Sequence, residues 1–98
     1  MNDYDRRQLR TMRQQLDAYD TGQADLSTLI SNLEALQNLL EATPGNWRDC
    51  FREQWGILEQ VYSVAVVREQ QIESDENKAL IAPALVRLRT MIDEALDA

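Results

Sequence analysis

Residues 25–40 read DLSTLISNLEALQNLL, and in them Leu26, Leu29, Ile30, Leu33, Leu36, Leu39 and Leu40 recur at steps of three and four. That period stacks every one of these side chains on one side of an α-helix. Asp25 precedes the stripe and supplies a carboxylate for the free amides of the first turn. Ala42-Thr43-Pro44-Gly45-Asn46 follows it. Pro44 disfavours helical geometry at Thr43, which ends the helix, and Asn46 is placed to cap the next one.

The same period extends in both directions. Upstream, Leu9, Met12, Leu16 and Tyr19 define a first helix from about Asp3 to Tyr19, stopped at Asp20-Thr21-Gly22, where glycine takes the left-handed conformation without steric cost. Downstream, Trp47, Phe51, Trp55, Leu58, Tyr62 and Ala65 form a stripe on a long, aromatic-rich third helix with no breaker before Ser74 except Gly56. Close approach of a neighbouring helix is the simplest account of Gly56, with a kink as the alternative. Ser74-Asp75-Glu76-Asn77 has the character of a helix start. The fourth helix then carries Leu80, Ile81, Ala84, Leu85, Leu88, Met91, Ile92, Ala95 and Leu96. Pro83 means either that this helix bends there or that a short turn precedes a second helix beginning at about Ala82, and a bend is the favoured expectation.

Four helices with short connections predict an all-α fold, an antiparallel four-helix bundle in one domain spanning residues 1–98. A hydrophobic content of 44% beside 28% charged residues belongs to a globular chain rather than a disordered one. Three Gly and two Pro supply little turn material for a β-sandwich.

The chemistry of the side chains points away from catalysis. The chain has no histidine and one cysteine, Cys50, so neither a Cys–His pair nor an intramolecular disulfide can form. Cys50 lies on the apolar side of helix three and is expected to be packed. Glu69 and Glu73, four apart, would share a helix face, yet the histidines of di-metal bundles are missing and no calcium-loop pattern occurs. Phosphate-cradle and nucleophile-elbow motifs are absent too. A non-enzyme without metal or cofactor is expected.

The net charge of −7 is unevenly placed: residues 1–16 sum to +2, residues 17–45 to −5, residues 46–68 to zero and residues 69–98 to −4. An acidic body argues against nucleic acid as a partner and for a basic protein surface. The basic cluster Arg6, Arg7, Arg10 and Arg13 is expected to pair with acids of the body. The start of the chain lacks a secretory h-region and the longest apolar run, Val64–Val67, is far short of a membrane span, so a cytoplasmic protein is expected. On helix three, Cys50, Ile57, Val61, Val64 and Val67 turn away from the centre of the aromatic stripe. Either the fourth helix buries them or they form a homodimer or partner interface.

The arrangement Tyr19, Gly22, Leu26, Leu29-Ile30, Leu33-Glu34-Ala35-Leu36, followed by Trp47, Phe51, Trp55, Leu58-Glu59, Tyr62 and Ala65, resembles small helical bacterial immunity proteins of contact-dependent growth inhibition and related toxin systems. The resemblance implies a small acidic protein that occludes the basic active site of a toxin. Asp17, Asp20, Asp25, Glu34 and Glu41, the acids of the −5 segment, are the expected partner-binding residues. Glu34 and Glu41, seven apart, are expected to project alike from helix two. The alternatives are a structural homo-oligomer and a bundle that binds a small ligand or metal.

Overall fold

The computed structural model describes residues 2–97. The chain forms α1 (Asp3–Asp20), α2 (Leu26–Asn38), α3 (Gly45–Val67) and α4 (Asp75–Asp97), with no strand among the described residues. Each helix packs against its two cyclic neighbours, α1 and α3 both against α2 and α4, and the backbones do not approach across either diagonal. This is the antiparallel four-helix bundle that short connections favour. Its backbone extends over 42 × 25 × 20 Å.

The apolar stripes meet at the centre. Leu9, Met12 and Leu16 of α1, Leu29 and Leu33 of α2, Phe51 and Leu58 of α3, and Leu88 and Ile92 of α4 are all at most 1% exposed. Around them the two indoles of α3 are half-buried, and each finds an acceptor for its N–H. Trp55 donates to the Ile30 carbonyl at 2.9 Å and Trp47 to that of Met91 at 3.4 Å, tying α3 to both neighbours.

Helix ends follow the caps where a side chain is present to make one. Asp25 accepts from the Thr28 amide at 2.8 Å and Ser74 from the Asn77 amide at 3.1 Å, as expected, while Asn2 caps α1 by accepting from Asp5 at 2.8 Å. Two ends differ from expectation. Helix α2 stops at Asn38 rather than continuing through Leu40: the Leu39 and Leu40 amides tighten onto the carbonyls three residues back, of Leu36 and Gln37, and those of Glu41 and Ala42 turn to the Asp5 carboxylate. Helix α3 begins at Gly45, directly behind Pro44 and without a side-chain cap, so Asn46 is already inside the first turn and is not the cap.

The end of α3 is a third correction. It closes at Val67, with the Gln70 amide on the Ala65 carbonyl at 2.8 Å, and Glu69 sits in the left-handed region at φ 53°. The end of α1 has the same geometry: Gln23 donates to Ala18 at 2.8 Å and Gly22 holds φ 79°. Both are left-handed helix stops, but α3 uses a glutamate where α1 uses glycine. A side chain in that conformation costs about 1–2 kcal/mol. Glu69 and Glu73 therefore lie beyond the helix and share no helix face.

Helix α4 runs without interruption across Pro83, whose ring is exposed, so a separate helix starting near Ala82 is ruled out. Gly56 is also resolved. A Cβ built there meets nothing within 4 Å, so close approach of a neighbouring helix is not its reason. Gly56→Ala is expected to stabilise the protein by about 1 kcal/mol, since the helix gains propensity and loses no contact. The midpoint of urea unfolding should rise accordingly, and a fall would show that the position needs glycine.

Candidate protein-binding surface

The five acids expected to meet a partner are all exposed, but they do not form one patch. Asp17 and Asp20, on the side of α1 that faces α4, share one cation. Arg89 donates to Asp17 at 2.6 Å and to Asp20 at 2.7 Å. These contacts hold the guanidinium above its ordinary value: the hydrogen bond to Asp17 dominates, burial opposes it, and the charges of both acids add to it. Exposed pairs of this kind stabilise by about 0–1 kcal/mol each, so their consequence is to neutralise half of the local negative charge.

Asp25 caps α2, and the Thr28 amide holds its carboxyl below the ordinary carboxylate value, so it is ionised at neutral pH. Glu34 lies on the flank of α2 that turns to α3, the flank on which Ile30 accepts from Trp55 and Gln37 from Arg52 at 2.9 Å. Glu41 is outside α2 altogether, in the connection to α3, so it does not project from the helix alongside Glu34. Among the described residues, Asp25, Glu34 and Glu41 make no ion pair.

Asp5 is the acid that sequence reasoning missed. Its side chain is fully buried and accepts from the Glu41 amide at 2.9 Å, the Ala42 amide at 2.8 Å and the Thr43 hydroxyl at 2.8 Å. Burial on its own would raise its pKa. The donors of Glu41, Thr43 and Ala42 outweigh burial and hold the carboxyl below its ordinary value. Asp5 thus ties the first turn of α1 to the α2–α3 connection and fixes the backbone that carries Glu41.

The basic cluster of α1 divides. Arg13 pairs with Asp93 at 3.3 Å and Arg6 donates to the Leu96 carbonyl at 2.6 Å, which satisfies an orphan acceptor at the end of α4. Arg7 lies 6.0 Å from the Tyr4 ring centroid. Pairing with an acid of the body therefore accounts for one of the four, Arg13, while Arg6 is held by a carbonyl instead.

The side between α3 and α4 is incompletely covered. Ile57 and Val61 are half-buried, whereas Val64 is 39% and Val67 81% exposed. Cys50 is exposed rather than packed. Nearby, Trp47, Cys50, Glu53, Gln54, Arg87 and Met91 line a groove of about 480 Å³. Beneath it the Gln54 Oε1 is buried and has no hydrogen-bond partner among the described residues. A buried amide without a partner costs about 1–3 kcal/mol. Gln54→Leu is therefore expected to stabilise the bundle by about 1 kcal/mol, raising the thermal midpoint by about 4–8 °C in a domain this size. An unchanged or lower midpoint would mean that the amide has a partner in solution.

A second groove, of about 600 Å³, opens at the end of the bundle between the α1–α2 connection and the start of α4. In it Tyr19 donates to Glu73 at 3.0 Å. Burial, then this hydrogen bond and the Glu73 charge, push the phenol above its ordinary value, so it remains a neutral donor. No three His, Cys, Asp or Glu side chains converge as metal ligands would among the described residues. No helix there is long and apolar enough to cross a membrane. Comparison with protein families, curated proteins and solved structures finds no match for this chain.

Proposed function

We propose that the protein is a non-enzymatic protein-binding module, an inhibitor of the immunity or antitoxin kind that masks a basic surface of a toxin domain. The observation that carries this reading is the exposure of Asp25, Glu34 and Glu41 without ion pairs, among the described residues, on a chain of net charge −7. Charge left unneutralised in the free protein is available to a cationic partner, and it accelerates encounter before any contact forms. Asp17 and Asp20 bring Arg89 with them and contribute less. In this role the protein is cytoplasmic, a compartment in which the lone thiol of Cys50 stays reduced.

The experiment is co-purification at low salt with the product of the gene adjacent to its own, using wild type and the Glu34→Lys/Glu41→Lys double variant. Both substitutions lie on the surface, so the variant should unfold with the wild-type midpoint. Wild type is expected to capture the adjacent product and neutralise its toxicity, and the variant to associate on the order of tenfold more slowly. Failure of wild type to bind, or equal binding by both, overturns the proposal.

A further inference from the structure

Along the incompletely covered side of α3, Glu53, Ile57, Val61, Val64 and Arg68 follow one another at steps of four, four, three and four. They occupy one flank of the helix, with Arg68 as its cap residue. The strip carries an acid at one end, a base at the other and apolar side chains between. Leu80 of α4, 56% exposed, borders the same groove as Ile57, Val61 and Val64 and widens its apolar middle. Among the described residues neither Glu53 nor Arg68 makes an ion pair, and Arg87, which lines a groove with Glu53, is not paired with it.

Such a strip is its own complement when reversed. Laid antiparallel with Glu53 opposite the second copy's Arg68, it brings Ile57 opposite the second copy's Val64, and both contacts recur through the two-fold axis. We infer that the protein self-associates as a weak antiparallel dimer through this flank of α3, with Leu80 at its edge. This goes beyond the masking function: the dimer uses α3 and α4, while Glu34 and Glu41 remain free.

The overlap covers residues 53–68, roughly 24 Å of helix at 1.5 Å per residue. Across a bundle 20–25 Å wide this is roughly 500 Å² per copy, near the lower limit of specific interfaces at about 1,000 Å² in total. The dimer is therefore expected to be populated only above tens of micromolar, on the order of 10⁻⁵–10⁻⁴ M.

Sedimentation equilibrium of the purified protein, from about 10 to 500 µM, tests it. A monomer–dimer equilibrium is expected, lost in Val64→Asp, whose fold is checked by circular dichroism. Glu53→Arg and Arg68→Glu should each weaken association about tenfold, because symmetry creates two like-charge contacts, and the double exchange should restore it to within about threefold. A pure net-charge effect would instead move the two single variants in opposite directions. A nitroxide on Cys50 should report an interspin distance of about 30–35 Å, set by the 21-residue stagger of this register. A monomer at every concentration, dimers insensitive to Val64→Asp, no rescue by the double exchange, or a different distance overturns the inference. Because the protein is alone in these measurements, their failure leaves toxin masking to its own test.

Discussion

Asp5→Ala lowers the stability of the protein by about 3 kcal/mol at neutral pH, a loss of roughly 12–24 °C in thermal midpoint. The size follows from what the carboxylate does. It accepts three hydrogen bonds, from Glu41, Ala42 and Thr43, in a place with no access to solvent, and it is charged. Removing it leaves the Thr43 hydroxyl buried without its acceptor and frees the α2–α3 connection. Asp5→Asn keeps the shape but turns an amide donor towards existing donors, so about 2 kcal/mol is expected to be lost.

The pH dependence has a definite sign. Because the folded pKa lies below the ordinary carboxylate value, the stabilisation is complete above about pH 4 and disappears as pH falls through the depressed folded value. Urea unfolding at pH 7, 4 and 2.5 should show wild type and Asp5→Asn far apart at the first and converging at the last. A constant gap would mean that Asp5 is not the ionised acceptor described.

Phe51→Ala is expected to cost about 3–5 kcal/mol, a large share of the 5–15 kcal/mol typical of a whole domain. Phe51 has no exposed surface and stacks on Trp47, with ring centroids 5.3 Å apart and planes inclined by 18°. Its loss opens a cavity at the junction of α3 with its neighbours and releases one face of the half-buried indole. Denaturant unfolding gives the cost, and near-ultraviolet circular dichroism should lose the Trp47 signal while Trp55, held by the Ile30 carbonyl, keeps its own. Phe51→Leu should cost less than about 1.5 kcal/mol. A loss below about 1 kcal/mol for the alanine variant would contradict the burial described.

The sequence made the helices and their inward faces legible because an apolar period is a local property. Leu26 to Leu33 and Leu88 to Ile92 are buried as their spacing requires, and Asp25 and Ser74 cap as their chemistry suggests. What it hid depends on distant or unusual partners. Asp5 read as one more acid near the start, since its donors lie 36–38 residues further on. The end of α3 was obscured because a glutamate holds the left-handed position that glycine holds after α1.

The candidate surface was legible by composition but not by arrangement. The −5 segment is exposed, yet Arg89 reaches from α4 to neutralise Asp17 and Asp20, a contact across about 70 residues that no local pattern marks. Cys50 was expected to be packed because it neighbours an apolar stripe. It is exposed, on the rim of the groove between α3 and α4.

The most direct measurement is the association rate constant of the protein with the product of its adjacent gene, followed by stopped-flow Trp fluorescence as ionic strength rises from about 20 to 300 mM. If the unpaired acids around α2 steer a basic partner, the rate constant falls at least about tenfold over that range, while dissociation changes little. A rate constant independent of salt, or no association at the lowest salt, would contradict a role in masking a basic surface.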